Sequence, residues 1–289
     1  MTAVTLDAPK LIPTVDRERV VALGFSLPAL LILAGVFALP LALLLSVSVI
    51  GPDGLTLANY GRLFGTPYYL GVIWNSLRLA LLTTLITLII GFPASFALAR
   101  ARGAVRSLLL ATLFLPLAAS VIVKAFAWTI LLRSDGVVNQ ALIALGVIHD
   151  PIRMIFTEAA LIIGSVNIFL PFMILPIYAV VAQLDAALSE AAATLGASPL
   201  VAFWRVSVPL TMPGIIAEVA LVFSLSVSAY VVPTLLIGER YPTLATTIAK
   251  AYLLAREPGF GAAAGVTLLA IAIIVVALSA RLAGGERAR

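Results

Sequence analysis

The sequence predicts an all-α membrane protein of six transmembrane helices, on three observations. Of its 289 residues, 62% are hydrophobic and 11% charged, whereas a soluble domain carries about 25% charged residues and has no means of hiding so much apolar surface. The apolar residues fall in long runs, and roughly 20 residues of helix cross a bilayer core of about 30 Å. Gly and Pro lie inside those runs as well as between them, as is ordinary for membrane helices. The alternation of a membrane barrel is missing, so the backbone groups must pair within helices.

The first run follows Lys10, Arg17 and Arg19 and carries no charge from Val20 to Ile50. That exceeds the roughly 7 to 15 residue core of a signal peptide, so it reads as a retained helix over 20–50. Further spans are predicted near 73–99, 107–132, 158–182, 213–237 and 258–281, giving a membrane domain over 20–282 with tails 1–19 and 283–289.

An even number of spans puts both termini on one side. Ten basic residues, Lys10, Arg17, Arg19, Arg100, Arg102, Arg106, Arg205, Arg281, Arg287 and Arg289, belong to the stretches 1–20, 100–106, 183–212 and 281–289. Six lie in the opposite connections: Arg62, Arg133, Arg153, Arg240, Lys250 and Arg256. The positive-inside rule therefore predicts cytoplasmic termini. The opposite connections, about 20 to 25 residues each, are longer than usual and suggest a surface built to meet another molecule. They carry turn signals such as Gly51-Pro52-Asp53-Gly54, Ser134-Asp135-Gly136 and Glu257-Pro258-Gly259.

The absence of Cys and the single His149 exclude disulfides, thiol catalysis and Cys/His metal sites, and His149 itself reads as a solvated loop residue. The net charge of +5 is spread along span ends, which fits topology signals and lipid headgroups rather than nucleic acid. All three lysines lack the preceding glycine of a phosphate-binding loop, so this chain binds no nucleotide of its own.

The most informative segment is the loop 183–212. Leu184, Leu188, Ala191 or Ala192, and Leu195 recur at helical spacing, which predicts an amphipathic helix. Gly196 stops it, since glycine takes the left-handed conformation without a Cβ penalty. Ser198 before Pro199 has the order of an N-cap and a first-turn proline, starting a second short helix through about Val206. Pro209 and Pro213 are expected to end that helix and begin the next span.

Glu190-Ala191-Ala192, three residues, Gly196, nine residues, then Val206, Ser207, Val208 and Pro209 match the pattern Glu-Ala-Ala, three, Gly, nine, Ile, any, Leu, Pro, with Val at both aliphatic positions. On this loop the chain resembles the permease subunits of bacterial ABC importers that work with a substrate-binding protein. The likeness extends from about Val20 to Leu282. It is most similar to spermidine/putrescine permeases through KAFAWTILL (124–132), GVVNQALIALG (136–146), PLTMPGI (209–215) and LSVSAYVVPTLLIG (225–238).

The resemblance implies a multi-pass protein of the bacterial inner membrane, with the 183–212 loop as a cytoplasmic coupling helix. Glu190, Ala191, Ala192, Gly196, Ser198 and Pro209 are then the positions that meet a separate ATPase. It also implies a second permease subunit, identical or different, two ATPase subunits that use ATP and Mg, and a periplasmic or lipid-anchored binding protein. The cargo would be a polyamine or a related small solute. An ion-gradient-driven secondary transporter is the alternative, although no repeat between the halves supports it.

Polar groups inside spans mark candidate positions along the passage. Lys124 lies 17 residues into the predicted third span, about 25 Å, and Glu218 five residues into the fifth, about 8 Å, so an ion pair between them is not expected. Asn167, Ser224 and Ser228 fall nearer mid-depth, where they could line a passage or bond across helices. Glu218 would attract a cation or snorkel to the surface, whereas Lys124 argues against a cationic cargo.

Overall fold

A computed structural model describes residues 15–51 and 54–286. Part of each predicted tail, Lys10, and the Pro52-Asp53 centre of the first turn signal lie outside the described residues. Helix α1 (Val15–Val49) runs through Pro28 and Pro40 into a two-residue hairpin, β1 (Ile50–Gly51) against β2 (Gly54–Leu55). Helix α2 (Ala58–Gly65) precedes the long α3 (Pro67–Arg100), whose first residue is a proline, tolerated there because the first turn donates no helical bond.

The third predicted span is not continuous. Helix α4 (Gly103–Ala118) and helix α5 (Val121–Leu131) meet at a bend of 102°. Pro116 disturbs the last turn of α4, and Ser120 Oγ accepts the Ile122 amide at 3.3 Å, so a new helix is capped where one span was expected. Five helices among the described residues are long and apolar enough to cross a membrane, or six if the bent pair counts as one span.

The long connections fold as well. Helix α6 (Val137–Ala144) occupies one of them, and helix α7 (Glu158–Val181) follows. The predicted loop contains α8 (Ala186–Thr194) and α9 (Pro199–Ala202). A π-turn, Phe203–Ser207, then joins α9 to α10 (Val208–Val227) without a break. Pro209 therefore ends nothing: the Val208 amide reaches back to the Phe203 carbonyl, and the widened turn accommodates a residue that lacks an N–H and would crowd an ordinary helix.

The fifth span stops at Val227, ten residues before its predicted end, and α11 (Val231–Leu236), a 3₁₀ turn (Gly238–Arg240) and α12 (Leu244–Lys250) follow. A second π-turn, Ala251–Ala255, leads through Arg256 to α13 (Pro258–Glu286).

Helices α3, α7 and α10 form the centre around Leu79, Leu161, Met173, Ile177 and Val222, all buried. Gly91 lets α7 approach closely, since a Cβ there would lie 2.9 Å from Met173 Cγ. Helix α13 packs on α10 and carries α1 on its other side. The 183–207 hairpin sits at one end of this bundle, and α2, α6, α11 and α12 lie toward the opposite end.

Candidate functional site

The hairpin is built from local chemistry. Asp185 caps α8 by accepting the Ala187 amide at 2.9 Å. At the far end Gly196 takes φ +84°, its N–H bonds the Ala193 carbonyl, and the Ala197 N–H bonds the Ala192 carbonyl, each at 3.0 Å. These are the paired bonds of a Schellman turn, which satisfies the last carbonyls of α8. Ser198 Oγ accepts the Val201 amide at 3.4 Å, and Pro199 occupies the first turn of α9.

Glu190 is exposed, makes no ion pair among the described residues, and lines a cavity of about 310 Å³ with Arg100, Ala193, Phe203 and Ser207. Ala191 and Ala192 lie beside it, open to approach. The amphipathic pattern is uncovered among the described residues: Leu195 is 89% exposed, and Leu188, Leu200 and Trp204 are exposed too. Phe203 bridges the hairpin and the bundle: its ring meets Trp204 edge to face at 5.3 Å between centroids and Phe96, near the end of α3, at 4.9 Å. Pro209 stands apart from the other five positions, in the first turn of α10.

The polar positions of the bundle do not form one cluster. Lys124 lies on α5, beyond the bend, so counting its depth along one straight helix fails. Asn167 on α7 accepts a hydrogen bond from Trp128 Nε1 at 3.1 Å and so ties α7 to α5. Glu218 lies ten residues beyond Val208, the first residue of α10, about 15 Å along that helix. Its Oε2 is buried with no hydrogen-bond partner among the described residues.

Ser224 and Ser228 each donate to a carbonyl of their own helix at 2.8 Å, from Ala220 and Ser224 respectively. Ser228 is the C-cap of α10, at the end of that helix. Glu218 lies six residues from Ser224, about 120° around the helix, and faces a different side.

No family model matches the chain. A spermidine/putrescine transport system permease protein, PotB, from Haemophilus influenzae is 37% identical over 245 residues, which cover 82% of this chain and 85% of that protein. PotB of Escherichia coli is 42% identical over 213 residues, 74% of this chain and 77% of that protein. The chain belongs to the permease subunits of ABC importers. The crystal structure of a bacterial alginate ABC transporter, in complex with alginate pentasaccharide-bound periplasmic protein, contains a chain of the same fold. Its TM-score is 0.76 at 20% identity, over 91% of this chain and 94% of that one.

Such relatives are transport permeases, which favours the importer over the gradient-driven alternative. Two features of this permease are not among the residues that the sequence singles out. Arg78 Nη2 of α3 and Glu158 Oε1 at the start of α7 are 3.2 Å apart, and Asn75 and Ser76 beside them bond Pro242 O at 3.2 Å and the Leu244 amide at 2.7 Å. Arg78 lies within a predicted span, and that charge was the available signal. Asn139, fully buried, donates to Arg133 O and Ile152 O and accepts from the Ile152 amide, closing the 133–152 connection.

Proposed function

We propose that this permease imports a polyamine and that its 183–207 hairpin is the coupling element that docks on a cytoplasmic ATPase. The observation that carries the coupling role is the hairpin's uncovered apolar face, with Glu190 unpaired beside it. An apolar patch rimmed by a free carboxylate suits a protein groove containing a basic residue. The ATPase subunits would supply ATP and Mg, and this chain none. Motion of the hairpin would reach the membrane helices by two routes, the continuous path from α9 through the π-turn into α10, and the Phe203–Phe96 contact with α3.

The cargo reading rests on the relatives, whose names state spermidine and putrescine. A dication suits the lone mid-helix carboxylate of Glu218. A second permease would complete the passage, a binding protein would deliver cargo from outside, and the hairpin end would face the cytoplasm with both termini. Purification of the chain from the membrane in mild detergent tests the whole scheme: an ATPase subunit should co-purify, and its hydrolysis should rise when binding protein loaded with spermidine is added. Stimulation by a sugar or an anion instead, with no response to spermidine or putrescine, would discard the cargo and keep the importer.

A further inference from the structure

At the end of the bundle opposite the hairpin, a cavity of about 330 Å³ opens between α11 and α12. Tyr230 and Thr234 form one wall, Lys250, Leu253 and Leu254 the other, and Glu239 stands at the rim. The α12 wall is held firmly: Thr243 and Thr246 form a reciprocal cap, and the Leu244 amide is fixed to Ser76 of α3. Glu239 instead hangs on a three-residue turn after Gly238, which takes φ +66°. Its Oε1 meets Lys250 Nζ at 2.8 Å, with side-chain exposures of 84% for Glu239 and 44% for Lys250.

Two physical points give this cavity a preference. An ion pair so exposed is worth about 0 to 1 kcal/mol, so an incoming ammonium can take the place of Lys250 at little cost. Lys250 also holds the Glu239 carboxyl below the usual carboxylate range, so the group is anionic at neutral pH. The Thr234 hydroxyl in the cavity wall has spent its proton, donating to Tyr230 O at 2.8 Å. Its oxygen can therefore only accept, and an ammonium can only donate. A divalent metal is poorly served by a single carboxylate, and no group of three His, Cys, Asp or Glu able to hold one occurs among the described residues.

We propose that this cavity is a subsite for a primary ammonium group of the cargo, which displaces Lys250 Nζ from the Glu239 carboxylate and lays its methylene chain on Leu253, Leu254 and the Tyr230 ring. The inference rests on the polyamine reading and adds to it a place and a mode of binding. Apolar walls with one carboxylate match an aliphatic ammonium, and the exposed tyrosine face favours a cation.

The chain has no cysteine, so Ala249→Cys, in the cavity wall, is a single reporter in this subunit. In the assembled importer, a neutral maleimide should modify that cysteine about fivefold more slowly with spermidine than with sodium chloride of equal ionic strength, the factor equivalent to ~1 kcal/mol. Glu239→Gln should abolish the protection, and Lys250→Met, by removing the internal competitor, should bring it on at lower spermidine. Protection that survives Glu239→Gln overturns the subsite, as does its absence in a preparation that transports spermidine. A preparation that transports no polyamine overturns the cargo reading first and the subsite with it, so the two failures are distinct.

Discussion

A carboxylate inside a membrane helix is costly, and Glu218 has one oxygen buried without a partner among the described residues. If the polyamine passes near it, Glu218→Gln should lower spermidine uptake several-fold while leaving assembly and binding-protein-stimulated ATP hydrolysis intact; equal uptake by parent and variant would remove Glu218 from the passage. Gly196 makes a different demand. At φ +84° a Cβ costs about 1 to 2 kcal/mol, so Gly196→Leu should distort the hairpin, reducing both transport and ATPase retention while membrane insertion stays at the parental level. Insertion and retention can be compared on one blot of membrane and detergent-purified fractions. Gly196 and Ser198 were legible in the sequence because turn and cap chemistry is local. Asn139 was not, because its partners Arg133 and Ile152 come together only when the connection folds.

At the scale of elements, the long apolar helices follow from residue type alone, and their breaks do not. Pro209 has the marks of a terminator, yet the π-turn before it removes the clash that makes proline one. Pro116 and Ser120, inside an apolar run long enough to cross a bilayer, separate two helices because a side-chain cap competes locally with helix continuation. The π-turn also sets Phe203 between two rings, the exposed Trp204 on the hairpin and Phe96 on α3. Phe203→Ala should therefore uncouple the two ends of the device: the ATPase stays bound through Glu190 and the exposed leucines, but stimulated hydrolysis no longer drives uptake at the parental rate. Loss of ATPase binding in that variant would mean that Phe203 merely holds the hairpin in shape. Across the bundle, Arg78 and Glu158 join α3 to α7 at 3.2 Å, but both are partly exposed, so a double-mutant cycle on thermal stability should give a coupling of no more than about 1 kcal/mol.

At the scale of the whole molecule, the single chain leaves two kinds of apolar surface. Helix α4 has no buried residue, and its exposed Leu108, Leu109, Phe114 and Leu115 suit lipid or another membrane subunit. The hairpin's leucines and Trp204 sit instead on a segment with Ser198, Arg205 and Glu190 close by, a polar setting that belongs in water at the membrane face. On the proposed docking to an ATPase the hairpin end would face the cytoplasm, the side that the bias of Lys and Arg toward it also predicts. Single cysteines test this directly, because the chain has none of its own. A probe at Asp135, exposed in the connection after α5, should react with a membrane-impermeant thiol reagent in intact cells. A probe at Ser198, in the hairpin turn, should react only after the cytoplasmic face is opened. In inverted vesicles the pattern should exchange, and added ATPase subunit should then shield Ser198 but not Asp135. Shielding without exchange would separate docking from topology, whereas labelling of Ser198 in intact cells would place the hairpin outside, where no ATP is available, and the coupling role would fall.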